Sequence, residues 1–107
     1  MSIKRIRGAT IVGNLVYTSG MGHREGDVEA QIRGTLKRLE ETLKEAGTDF
    51  QHVVKATVYL TDLEDRAKYL NKIWGETFGD HRPSRTCVEV GLGSIAVEIE
   101  LVATLPG

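Results

Sequence analysis

Within the stretch RPSRTCVEV, Arg85 and the chain's single cysteine, Cys87, stand two residues apart, in a run that alternates like a β-strand. A guanidinium is a planar fork that grips a carboxylate through two parallel hydrogen bonds, which a lysine cannot do. The same arginine could instead be a surface charge paired across a ladder with Glu98 or Glu100, an interaction of about 0 to 1 kcal/mol when exposed. Cys87 reads either as a thiol nucleophile or as a small buried group whose backbone matters more than its sulfur, and no histidine is spaced to activate it. Asn71 falls among apolar residues at helical spacing, where an amide without partners costs about 1 to 3 kcal/mol; it bonds either a loop or a ligand. Glu98 is either a surface acid or a group that positions and deprotonates water. Tyr17 is read as an interface aromatic with its hydroxyl bonded. His23, His52 and His81 share no ligand spacing with one another or with Cys87, so no metal site is expected. The GMGHREG stretch lacks the Lys and Ser/Thr of a phosphate loop and reads as a mobile loop.

Elements must hold these groups. In ATIVGNLVYTSG two β-rich runs flank Gly13-Asn14, a pair able to take the positive φ of a tight hairpin. Asp27 can cap a helix whose inward stripe is Ile32, Leu36, Leu39 and Leu43, and Gly47 can stop it. VVKATVYLT alternates as a strand, and Asp62 can cap a second helix with the stripe Ala67, Leu70, Asn71, Trp74 and Phe78. RTCVEV and IAVEIELVAT supply two final strands joined through GLGS. The expected order is ββαβαββ over one domain, 1–107: an α+β sandwich with two helices on one face of a mostly antiparallel sheet.

Period two then divides the strands between two faces. If the helices cover Val54, Val58, Val88, Val90, Ile95, Val97, Ile99 and Leu101, the other face carries Tyr17, Lys55, Thr57, Tyr59, Arg85, Cys87, Glu89, Glu98, Glu100 and Val102. Tyrosines among charges have the composition of a polar interface, so a homo-oligomer is expected.

The totals exclude several classes. With 14 Lys and Arg against 15 Asp and Glu, the formal charge is -1, without the basic excess of a nucleic-acid binder. A lone cysteine allows no intrachain disulfide and fits a reducing compartment. Without a signal-length or membrane-length apolar run, a cytoplasmic protein with no membrane partner is expected.

Taken together, NLVYTSG, VVKATVYLTDLED, LNKIWGETFGDHRPSR, RTCVEV and VEIELVAT resemble the Rid/YjgF family of reactive-intermediate imine deaminases, from about Gly8 to Thr104. The resemblance implies a chorismate-mutase-like fold, a homotrimer with clefts between subunits, and cofactor-free hydrolysis of 2-imino or enamine acids, the products of pyridoxal-phosphate dehydratases, to 2-keto acids and ammonia. It also implies that Arg85 binds the substrate carboxylate and that the main chain at Cys87 holds substrate and water. Glu98 would serve the attacking water, Tyr17 would close the cleft from a neighbouring subunit, and Asn71 would lie near the site. Met21 stands where many relatives have glutamine, and the link from Cys87 to Glu98 is about two residues short. A non-catalytic trimer binding small carboxylates is the alternative, followed by an endoribonuclease.

Overall fold

The structure, a computed structural model, describes residues 2–107. The chain runs through β1 (Ile3–Ile6), β2 (Ala9–Val12), β3 (Leu15–Thr18), α1 (Val28–Ala46), β4 (Val53–Leu60), α2 (Asn71–Phe78), β5 (Ser84–Glu89) and β6 (Val97–Thr104). A short 3₁₀ turn, Phe50–His52, precedes β4, and a π-helical turn, Arg66–Leu70, leads directly into α2. The six strands form one sheet in the order β1-β2-β3-β6-β4-β5. All pairs are antiparallel except β4 with β5, because α2 carries the chain back over the sheet between those two. The architecture is therefore the expected α+β one, with two differences. Ile3–Ile6 adds a sixth strand, and β5 and β6 do not pair with each other, since β6 sits between β3 and β4 and leaves β5 on the edge.

The local signals explain most elements. Gly13 alone takes positive φ in the β2–β3 turn, at 58°, and Asn14 does not. Asp27 caps α1 by accepting the Ala30 N–H at 2.9 Å, and Gly47 ends it at φ 96° with its N–H donating to Leu43 and Lys44. Ile32, Leu36, Leu39 and Leu43 are buried against the sheet as their spacing requires.

The second helix departs from its expected stripe. Leu70, Ile73, Trp74 and Phe78 are buried, whereas Ala67 and Asn71 are exposed. The reason is the π turn: the Asn71 N–H donates to Arg66 O, five residues back, so an α-helical phase projected through Ala67 is wrong by one residue.

Candidate functional site

The parallel pairing of β4 and β5 fixes the orientation of the pair met first in the sequence. Ala56 lies opposite Arg85, Val58 opposite Cys87 and Leu60 opposite Glu89. Ala56, Val58 and Leu60 form the fully buried, helix-facing side of β4, so Arg85, Cys87 and Glu89 share that side. This corrects the expectation that they lie on the uncovered face, and it sends Val88, 38% exposed, there instead. An edge strand tolerates the inversion: the Cys87 side chain packs against the core and the long stem of Arg85 lies along α2, leaving its charged head at the rim. Val54 is likewise exposed, because a bulge between Val53 and Lys55 breaks the alternation of β4.

Arg85 is held from two sides by α2. Its Nη2 donates to Asn71 Oδ1 at 2.9 Å, and its guanidinium carbon lies 5.3 Å from the centre of the Trp74 ring. Trp74 is in turn packed on Phe78, with ring centres 4.6 Å apart. Helical spacing predicts a core role for Trp74, and the structure adds a second one, as the platform for the Arg85 cation. Burial draws the Arg85 pKa below its ordinary value, Cys87 opposes this, and the like charges of Arg66 and Arg82 add to the lowering. An arginine stays charged regardless. Among the described residues the ion pairs are Arg33 with Glu29 and Glu76, and His52 with Asp49, so Arg85 has no carboxylate partner. A desolvated cation among like charges and without a counter-ion is suited to bind an anion.

Burial pushes the Cys87 thiol up, more than Arg85 and Arg66 draw it down. A thiol so placed is less ionised than a free one, which is the opposite of an activated nucleophile.

Glu98 and Tyr17 belong to the other face. Glu98 pairs with Tyr59 across β6 and β4, and its carboxylate lies against the backbone of Gly20, where a Cβ would meet Oε2 at 3.0 Å. Tyr17 pairs with Val102 on β3 and β6 and is 44% exposed. Beside them the Tyr59 hydroxyl donates to Glu100 at 2.9 Å, which raises the Tyr59 pKa. Arg85 and Glu98 are therefore two strands apart, about 10 Å, and on opposite sides of the sheet, so no ladder pair with Glu98 or Glu100 forms. The structure brings together Arg85, Asn71, Cys87 and Trp74, whereas Tyr17 and Glu98 lie on the opposite face and apart from each other, since the β6 partner of Tyr17, Val102, is four residues from Glu98.

The 20–26 segment, expected to be mobile, is tied at several points. Met21 exchanges backbone hydrogen bonds with Ile99, Arg38 donates to Gly22 O, and Gln31 donates to Gly26 O while accepting from Ala96 N. Gln31 thereby locks this loop to the one before β6. Among the described residues no three His, Cys, Asp or Glu side chains gather as a metal cage, and no helix is long and apolar enough to cross a membrane.

Residues 2–105 match the family described as Endoribonuclease L-PSP, which is the YjgF/Rid family. The chain belongs to that family. It is 34% identical over 102 residues to a RutC family protein of Pyrococcus abyssi, covering 86% of this chain and 80% of that one. It is 32% identical over 104 residues to the Escherichia coli protein described as the reactive intermediate deaminase TdcF, with 86% and 80% coverage. The crystal structure of a YjgF family protein from Neisseria meningitidis superposes with a TM-score of 0.85 at 31% identity, covering 94% of this chain and 87% of that one. For this Rid-family chain, the two helices packed on a six-stranded mixed sheet are the fold its solved relatives share.

Proposed function

We propose that this Rid-family protein hydrolyses 2-imino or enamine acids to 2-keto acids and ammonia, at clefts shared between copies of a homotrimer. The observation that carries the reading is the guanidinium of Arg85, fixed by Asn71 and Trp74 at the rim of an edge strand with no carboxylate among the described residues to neutralise it. TdcF, a relative at 32% identity described as a reactive intermediate deaminase, supports the choice of reaction.

One chain cannot present Arg85 and Glu98 to the same small molecule, since they lie on opposite faces. A second copy seated on the uncovered face can. Tyr17, Val54 and Val88 are exposed large apolar groups on or beside that face, in keeping with burial by another chain. Arg85 of one copy and Glu98 of the next then flank a common cleft.

The chemistry asks little of the protein. The imine carbon is already electrophilic, so no cofactor is needed. Arg85 holds the carboxylate, and the backbone around Cys87 lines the place beside it. Glu98 takes a proton from water as the water oxygen bonds to the imine carbon; the C=N electrons move to nitrogen, which receives that proton from Glu98. In the resulting carbinolamine the hydroxyl proton passes by way of Glu98 to the nitrogen, and as C=O forms the C–N bond breaks and ammonia leaves. Holding water and carbon at about 3 Å supplies most of the acceleration.

The test couples purified protein to a threonine dehydratase and follows decay of the imine to 2-oxobutyrate. Wild type speeds the decay and Arg85→Ala does not. No acceleration by wild type, with 2-oxobutyrate still bound through Arg85, would leave a carboxylate-binding trimer in place of an enzyme.

A further inference from the structure

The π turn before α2 places a second arginine beside the first. The Asn71 N–H donates to Arg66 O, so Arg66 sits one turn ahead of Asn71, on the side of the helix where Asn71 receives Arg85. One turn further on, Gly75 leaves room for Arg82, whose Nη2 would stand 3.2 Å from a Cβ there. Arg66, Asn71 and Gly75 thus mark successive turns along which three guanidinium groups lie. Single π turns inside helices often coincide with functional positions, since an extra residue re-aims the side chains around it.

The three arginines are not equivalent. Arg85 is committed to Asn71 and Trp74, and Arg82 donates through Nε to Gly79 O at 3.2 Å. Among the described residues the Arg66 guanidinium has neither a hydrogen bond nor an ion pair, and its charge reaches both Arg85 and Cys87. The acid sharing that face, Glu89, is turned away to accept the Leu63 N–H at 2.9 Å. A free donor fork beside a held one suits a ligand with two anionic groups.

We propose that Arg66 is a second anion-binding residue of the Arg85 cleft, which makes a 2-imino acid bearing a second carboxylate the preferred substrate class over a monocarboxylate. This rests on Arg85 gripping the first carboxylate, as read above. Arg85 holds the carboxylate next to the reacting carbon and Arg66 holds the one at the far end of the substrate, while Arg82 adds positive field without direct contact.

The test compares two stable keto acids of equal chain length, 2-oxoglutarate and 2-oxopentanoate, by titration calorimetry on wild type, Arg66→Gln and Arg85→Gln at low ionic strength. Wild type is expected to bind 2-oxoglutarate roughly tenfold more tightly or better, the effect of one charge-assisted contact. Arg66→Gln is expected to bring the two affinities together while leaving 2-oxopentanoate binding within about twofold, and Arg85→Gln to weaken both. If wild type binds the two acids equally, or if Arg66→Gln keeps the preference, as it would were Arg66 paired with an acid of a neighbouring copy, the inference is overturned. Those results leave the Arg85 reading standing, provided that Arg85→Gln still loses both. If Arg85→Gln loses neither, the reading of the cleft itself fails.

Discussion

Arg85 and Asn71, fourteen residues apart in the chain, meet through a 2.9 Å hydrogen bond that crosses from the edge strand to the first turn of α2. Because Asn71 acts on Arg85 rather than on a reacting atom, Asn71→Ala is expected to loosen the guanidinium without removing it. Affinity for 2-oxobutyrate should fall roughly three- to tenfold, the worth of one net hydrogen bond. In the coupled assay the loss should appear in KM more than in kcat, and an unchanged KM would show that Trp74 alone suffices to hold Arg85.

The placement of Arg85 and Glu98 on opposite faces predicts complementation between inactive chains. Arg85→Ala and Glu98→Gln homotrimers should each be inactive, but after co-refolding a random mixture restores clefts that take Arg85 from one chain and Glu98 from its neighbour. Roughly a quarter of wild-type activity is then expected from an equal mixture with cyclic symmetry. Sedimentation should give a three-chain particle in every case. Activity that stays at zero in the mixture would place both residues in one chain's site.

Cys87 is expected to be dispensable as a thiol. Its ionisation is pushed up by burial, so alkylation by iodoacetamide at pH 7 should be slower than for free cysteine and should accelerate only above the ordinary cysteine range. Cys87→Ala should keep imine hydrolysis within about threefold while costing roughly 1 kcal/mol of stability, because the side chain packs against the core. Loss of hydrolysis by a hundredfold would restore the sulfur as a catalytic group.

Asp65 gives the pH prediction. Burial is the first cause raising its pKa, and the neighbouring carboxylates Asp62 and Glu64 add to this while Lys68 opposes it. A raised value means that the folded chain takes up a proton more readily than the unfolded one. The associated stability is therefore fully present below the unfolded carboxylate pKa and is lost as pH rises through the folded value. Asp65→Asn should raise Tm at pH 7 and lose that advantage near pH 3, and a benefit independent of pH would point to a cause other than charge.

Capping gives the stability prediction. Asp27→Ala removes the 2.9 Å acceptor of the Ala30 N–H and should cost about 1 kcal/mol, read as a lower denaturant midpoint with an unchanged m-value. A change in m would mean that the loop from Met21 to Asp27 unfolds with the cap.

Local chemistry alone determined much of this protein. The caps at Asp27 and Gly47, the α1 stripe from Ile32 to Leu43, the β4 core residues Val58 and Leu60, and the two-helix α+β class follow from propensity, periodicity and turn residues within a few positions of each other. The family resemblance, carried by short ordered motifs, was legible in the same way. Tertiary structure decided which side of the sheet Arg85 and Cys87 occupy, because RTCVEV alternates equally well in either phase and only its parallel pairing with β4 selects one. It also decided that Ala67 and Asn71 face outward, since a hydrogen bond from Asn71 to Arg66 inserts a π turn that periodic counting at 3.6 residues does not anticipate. Pairing register and helix phase are set by contacts between distant segments, and it is those contacts that separate Arg85 from Glu98 and set Asn71 against Arg85.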